Sequence, residues 1–178
     1  MRVLKYAILG LLNRHAMTGY DITKEFNHDL AEFWHAKHSQ IYTELKKLFE
    51  EGLVTYDITI SGEVLEKKLY SITEQGKADL IEWLKDDAQI GKTAKDVFRV
   101  RMYFCDFIDM DTRIELLISQ RNQHQQRLNE LNQTKRQYTA RPDKYSHRFG
   151  DYMLLEGAIM REQGLIDWCE RCIQYCQE

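Results

Sequence analysis

The stretch Ser39–Ile72, SQIYTELKKLFEEGLVTYDITISGEVLEKKLYSI, changes its hydrophobic period partway along, and that change decides the fold. In its first part Ile41, Leu45, Leu48 and Phe49 recur at helical steps, one face of an α-helix that should pack into a small core. Ser39 is the expected N-cap of this helix and Gly52 suits its end. Beyond Gly52 the step falls to two. Val54, Tyr56, Ile58 and Ile60 share a face, Ser61-Gly62-Glu63 supplies a turn, and Leu65–Ile72 returns as a second strand.

Upstream, Arg2–Asn13 reads as an apolar first helix and Met17-Thr18-Gly19-Tyr20 as a short turn. A second helix, marked by Ile22 and Phe26, runs to about Asp29. Downstream, Thr73 caps a helix to about Asp86 that carries Leu80, Ile81 and Leu84. Three helices, a hairpin and a fourth helix in this order make a winged helix-turn-helix.

The second half of the chain follows a different pattern. Ala88–Thr93, with Gly91, is the best linker, so the expected division is 1–87 for the winged helix-turn-helix and 88–178 for a helical domain. Lys95–Phe107 carries Val97, Val100, Arg101, Phe104 and Cys105 at helical spacing. From Asp111, the expected cap, to about Tyr138 a long polar helix keeps Ile114, Leu117, Arg121, Leu128, Leu131 and Tyr138 near a seven-residue repeat, until Pro142 breaks it. The last helix, about Phe149–Tyr175, repeats the seam with Tyr152, Leu155, Ile159, Ile166, Cys169, Ile173 and Cys176. Two long antiparallel helices with apolar seams are hard to cover in so short a domain, which implies a homodimer. The whole is mainly α with a small β-hairpin wing: a DNA-binding head followed by a helical dimerisation domain.

Composition excludes several classes. With one proline and nine glycines in 178 residues, 43% hydrophobic and 30% charged, the chain is neither low-complexity nor disordered. The longest apolar run near the start, Tyr6–Leu12, falls short of the roughly 20 residues a membrane helix needs. No signal-peptide pattern opens the chain, so a cytoplasmic protein is expected. The four cysteines fit reduced thiols better than a disulfide framework. Formal charge is -3, with 11 Lys+Arg against 14 Asp+Glu in residues 1–86 and 14 against 14 in residues 87–178. The candidate DNA-binding half is thus the acidic one. A basic footprint then requires lysines clustered on one surface with the acids elsewhere.

Such a cluster can be placed. On the third helix Ser39, Thr43, Lys46, Lys47 and Glu50 lie opposite the apolar face, with Gln40 and Tyr42 at the margins. Hydroxyls, amides and lysines are what groove reading and phosphate contact use. Lys37 and His38 lie just before Ser39, at a helix N-terminus that attracts phosphate. Lys67, Lys68 and Tyr70 sit on the return strand, where a wing meets the backbone or minor groove. An isolated helix of this composition is ordinarily a solvated face. Two basic elements in this order are more specific.

The segments Met1–Leu12 (MRVLKYAILGLL), Gly19-Tyr20-Asp21-Ile22-Thr23, Phe33-Trp34, Ala36–Tyr42 (AKHSQIY), Glu44–Leu48 (ELKKL), Glu51-Gly52, Leu65–Lys68 (LEKK) and Thr73 with Gly76 resemble the PadR family of transcriptional regulators. Lys95-Asp96, Phe98, Tyr103-Phe104, Phe149-Gly150 and Tyr152 resemble that family's helical C-terminal domain, so the likeness covers nearly the whole chain. It implies a dimeric repressor of a phenolic acid decarboxylase gene, released from a palindromic operator by hydroxycinnamic acids such as p-coumarate or ferulate. Two positions depart from the family's pattern. Thr43 stands where proline usually follows the tyrosine, and Asp151 stands where near relatives carry histidine.

A planar aromatic carboxylate needs apolar walls and a donor or two. Phe33, Trp34, Tyr103, Phe149 and Tyr152 are candidate walls, Lys37, His38 and Arg101 candidate donors, and Asp151 bears on effector range. The expected place is between the two domains. Each has a plainer role: aromatics at helical spacing also build cores, and Arg101 can pair with a neighbouring acid. Cys169, Cys172 and Cys176 lie along one helix, spread over about 10 Å by the helical rise, and cannot all reach one ion. His35 and His38 supply only two ligands. No phosphate-binding glycine loop, nucleophile elbow or HExxH is present, so neither catalysis nor a metal or other cofactor is expected. The alternatives are a PadR-like regulator answering a drug or no small ligand, and a thiol- or metal-dependent interaction module built on the C-terminal helices.

Overall fold

A computed structural model describes residues 2–27, 34–61, 65–88, 91 and 95–178. The chain divides into two compact units, Met1–Ile90 and Gly91–Glu178. Among the described residues no helix is long and apolar enough to cross a membrane.

The first unit holds α1 (Val3–Arg14), β1 (Met17–Thr18), α2 (Gly19–Asn27), α3 (His38–Glu50), β2 (Val54–Ser61), β3 (Leu65–Ile72) and α4 (Glu74–Lys85). Met17 and Thr18, expected as a turn, form an extra strand instead. They pair antiparallel with Tyr70 and Leu69, so the hairpin becomes a three-stranded sheet in the order β1-β3-β2. Two residues of strand carry too little period to be read locally.

Thr18 also opens α2. Its hydroxyl and its N–H donate to Asp21 Oδ2 at 2.6 and 3.1 Å, and the Asp21 N–H returns a bond to Thr18 Oγ1 at 3.2 Å. This is the capping box that a T-x-x-D sequence announces.

The core of this unit gathers Ile8, Leu9 and Leu12 of α1, Ile22 and Phe26 of α2, Ile41, Leu45 and Leu48 of α3, and Val54, Tyr70 and Leu80 around the sheet. Full burial of a side chain of this size stabilises by about 1.5–3 kcal/mol. Phe49, expected in that core, is 45% exposed and packs its ring on Tyr56 at 4.8 Å. Glu44, outside the expected apolar face, is instead buried. Helix α3 starts one residue before Ser39. Lys37 is its N-cap position, with the Lys37 N–H donating to Gln40 Oε1 at 2.9 Å. At the other end Gly52 adopts φ 71°, the left-handed conformation that closes a helix.

The second unit consists of α5 (Val97–Tyr103), a short 3-10 turn at Cys105–Phe107, α6 (Met110–Lys135) and α7 (His147–Gln177). The helix expected over Lys95–Phe107 therefore stops at Tyr103. Asp109 rather than Asp111 caps α6, accepting from Thr112 N–H at 2.8 Å. α6 and α7 lie antiparallel: His124 meets Glu162 at 2.6 Å, Lys135 meets Glu156 at 2.6 Å, and the rings of Tyr138 and Tyr152 stand 5.4 Å apart. Leu117, Leu128, Leu131, Ile166 and Cys169 are the buried residues between them.

Candidate nucleic-acid interface

The sheet and α1 hold α3 by its apolar side, which leaves Ser39, Thr43, Lys46, Lys47 and Glu50 exposed on the other. Leu4, Ser39, Gln40, Thr43, Glu44 and Lys47 line a shallow groove of about 290 Å³ along this face. Not every polar group there is free. Thr43 Oγ1 donates to the Ser39 carbonyl at 2.8 Å, and Gln40 uses its carbonyl oxygen on Lys37 N–H, leaving its amide NH2 as a donor. Tyr42 is 41% exposed, with the His38 ring tilted against it at a centroid distance of 4.4 Å. Its ring presses against Gly19, where an added Cβ would stand 2.7 Å from Tyr42 Cζ. That contact ties the start of α2 to the middle of α3, and a larger residue at position 19 would displace the tyrosine.

The wing continues the surface. In the β2–β3 ladder Thr59 faces Lys67, Ile58 faces Lys68 and Tyr56 faces Tyr70. Lys68 Nζ sits 4.1 Å over the Tyr56 ring and remains exposed, while Ile58 is 61% exposed beside it. Tyr70, read from the sequence as a wing residue, is turned inward. Only 7% of it is accessible, and burial pushes its phenol above the ordinary value. Strand alternation turns Lys67, three steps from Tyr70, to the other face; Lys68, two steps away, shares the face of Tyr70 but stands nearer the hairpin turn, where Ile58 opposite it is exposed as well.

Among the described residues, five acids of this unit are paired with its own cations. Arg2 donates from Nε and Nη2 to Glu44 Oε1, at 3.0 and 2.5 Å, and from Nη1 to Glu51 Oε1 at 2.5 Å. Those bonds to Glu51 and Glu44 push the Arg2 guanidinium above its ordinary value. Lys5 pairs with Asp79, Lys77 with Glu74 at 2.7 Å, and Lys46 reaches Glu50 at 3.8 Å. The Thr18 hydroxyl holds the Asp21 carboxyl below the usual range. Among the described residues Lys37, Lys47 and Lys68 have no acidic partner. Three ammonium groups without an acidic partner, at one helix and one wing, suit a phosphate backbone.

The effector candidates are more dispersed. Phe33 lies outside the described residues. Trp34 is 36% exposed, and His38 packs its ring against Tyr42. In the second unit Arg101 and Tyr103 are exposed on α5, with the Tyr103 ring edge-on to Phe104 at 4.9 Å. Phe149, Asp151 and Tyr152 are half-buried at the start of α7. The Tyr152 hydroxyl donates to Glu156, which raises its pKa, and Lys135 and Tyr152 together hold the Glu156 carboxyl down. Tyr152 also lines a cavity of about 650 Å³ with Lys135, Arg136, Tyr138, Arg141 and the amides of Asn129, Asn132 and Gln133. Cys169 is fully buried and Cys172 partly so, and burial pushes both thiols up.

Comparison with known proteins matches both halves. The transcriptional regulator PadR-like family matches residues 8–82, and the C-terminal domain of the virulence activator alpha family matches residues 94–177. The negative transcriptional regulator PadR of Bacillus subtilis is 43% identical over 173 residues, 96% of this chain and 95% of that protein. The crystal structure of B. subtilis PadR in complex with operator DNA superposes with a TM-score of 0.94 at 40% identity, covering 98% of this chain and 99% of that one. The same protein in complex with p-coumaric acid superposes at 0.87 and 37% identity, covering 99% and 100%.

Proposed function

The chain belongs to the PadR-like family of transcriptional regulators, and on that premise we propose that it is a repressor which binds a palindromic operator as a homodimer and is released by a hydroxycinnamic acid. Residues 1–87 bind DNA, and residues 88–178 dimerise and couple to the effector. A two-fold dimer brings two α3 helices to successive major grooves, about 34 Å apart. Lys37, His38, Ser39, Gln40, Tyr42, Thr43, Lys46 and Lys47 contact one half-site, while Lys67 and Lys68 follow the backbone beside it. The apolar residues Met153, Leu154 and Met160 of α7, 54%, 55% and 73% exposed, support a partner helix. The protein works in the cytoplasm by binding rather than catalysis.

The observation that carries this reading is the likeness along the whole chain to a negative regulator whose structures hold operator DNA and p-coumaric acid. Trp34, Tyr103, Phe149 and Tyr152 offer this chain the aromatic faces, and His38 and Arg101 the donors, that such an acid needs, while Asp151 bears on effector range. The acid shifts the equilibrium between operator-bound and released forms only by its differential affinity for the two.

A mobility-shift assay on the region upstream of a phenolic acid decarboxylase gene, with and without p-coumarate or ferulate, tests the reading. A shift abolished by the acids is expected. No shift at low salt refutes the DNA-binding assignment. A shift insensitive to both acids refutes the effector assignment and favours a family member answering another ligand or none. Calorimetric p-coumarate binding unchanged in Trp34→Ala and Arg101→Ala removes those two residues from the effector site.

A further inference from the structure

We propose that Arg2 is a positioning residue for DNA binding: it cancels two carboxylates at the edge of the reading helix, without which α3 would repel the phosphates it approaches. The proposal rests on the reading of α3 as the DNA-facing helix.

Three observations meet here. Glu44 sits inside α3, one residue from Thr43 and three from Lys47, and shares their groove. Glu51 follows one turn beyond Lys47, at the end of the same helix. Arg2 forks onto both, spending Nε, Nη1 and Nη2 on the two acids. The Glu44 side chain is only 10% exposed, the Glu51 side chain 37%. A carboxylate as buried as Glu44 is costly unless paired. Arg2 therefore does two things at once: it satisfies Glu44 at the seam between α1 and α3, and it removes net negative charge from the flank of a surface meant for a polyanion.

The first unit carries more acids than bases, so which acids face DNA matters more than their number. Asp79 and Glu74 are neutralised by Lys5 and Lys77, which lie off α3. Glu50 is answered within α3 by Lys46. Glu44 and Glu51 are answered by Arg2, from a different helix start. Arginine suits the position because one planar fork reaches two carboxylates, which a lysine ammonium cannot do with the same geometry.

The test measures affinity by fluorescence anisotropy for the duplex that the wild-type protein itself selects from a randomised pool, between 50 and 300 mM salt, well below each variant's melting temperature. Arg2→Gln should weaken binding about tenfold at the low end of salt and about twofold or less at the high end, because repulsion between these carboxylates and phosphates across solvent is screened by salt. Adding Glu44→Gln and Glu51→Gln to Arg2→Gln should restore affinity to within about twofold of wild type. A purely structural role predicts a loss that does not shrink with salt, and that result overturns the proposal. If the triple variant stays weak while its salt slope drops by about one, Arg2 itself touches a phosphate and the masking role is wrong. A wild-type protein that selects no duplex refutes the DNA-binding reading and this proposal with it.

Discussion

Replacing Gly76 by alanine sets two effects of opposite sign against each other. Gly76 lies in the first turn of α4, where alanine is favoured over glycine by about 1 kcal/mol. The space opposes that gain. A Cβ at position 76 would stand 2.2 Å from the Leu53 carbonyl oxygen and 2.9 Å from Ile72 Cγ1. The first neighbour is backbone, and it is already engaged: Leu53 O accepts the Thr73 N–H at 3.0 Å, while Thr73 Oγ1 accepts from Gly76 N–H at 3.0 Å and donates to Gly52 O at 2.9 Å.

Relieving the clash means moving α4 by about 1 Å from the wing base, which strains or breaks this junction. Overpacking costs about 1–3 kcal/mol and a lost cap about 1 more, against the gain of about 1, so the net loss is about 1–3 kcal/mol. For a unit of this size that is a fall in melting temperature of about 5–20 °C. Circular dichroism melting of the full chain reads it, with Gly10→Ala as the control, because a Cβ there meets nothing within 4 Å. An unchanged or raised melting temperature for Gly76→Ala would show that propensity wins and refute the steric argument.

Gly19→Ala makes a similar clash, but against the tip of the half-exposed Tyr42 ring, which can swing away. It should leave the melting temperature within about 3 °C and weaken DNA binding, as read by anisotropy; a large loss of stability with intact binding would contradict this. Lys46→Ala and Lys68→Ala should each lower the slope of log affinity against log salt by about 1, for operator and random DNA alike, and unchanged slopes in both would remove these phosphate contacts. Asp21, held below the usual carboxylate range by Thr18, contributes stability that is full above its unfolded pKa of about 3.9 and lost as pH falls through the lower folded value. Asp21→Asn should therefore show a smaller drop in melting temperature between pH 7 and pH 3 than wild type, and parallel drops would argue that Asp21 is not the titrating group.

Much of the candidate interface was legible because it follows helical and strand periods. Ile41, Leu45 and Leu48 repeat on one face of α3, which places Thr43, Lys46 and Lys47 on the other without any knowledge of the tertiary fold. Thr73 announced α4 by the same local logic. The misreadings share a different cause. Phe49 keeps the apolar period, yet α3 outruns the core there and its ring lies on Tyr56 at the surface. Tyr70 looks like a polar-tipped wing residue, but its register opposite Tyr56 and Met17 puts it inside the sheet's packed face. Ser39 is a good cap by type, and only the placement of Lys37 and Gln40 moves the helix start ahead of it.

What the amino-acid sequence determined alone is the order of elements and the faces of the longer helices, because these depend on spacings of three, four and two residues along one segment. The net-acidic head could not be judged by counting. Only the tertiary structure brings Arg2 to Glu44 and Glu51, Lys5 to Asp79, and Met17-Thr18 to the edge of the wing sheet. Each of those pairs joins residues roughly 40 to 75 positions apart, which no local period can link, since pairing over such separations is set by how the apolar faces pack.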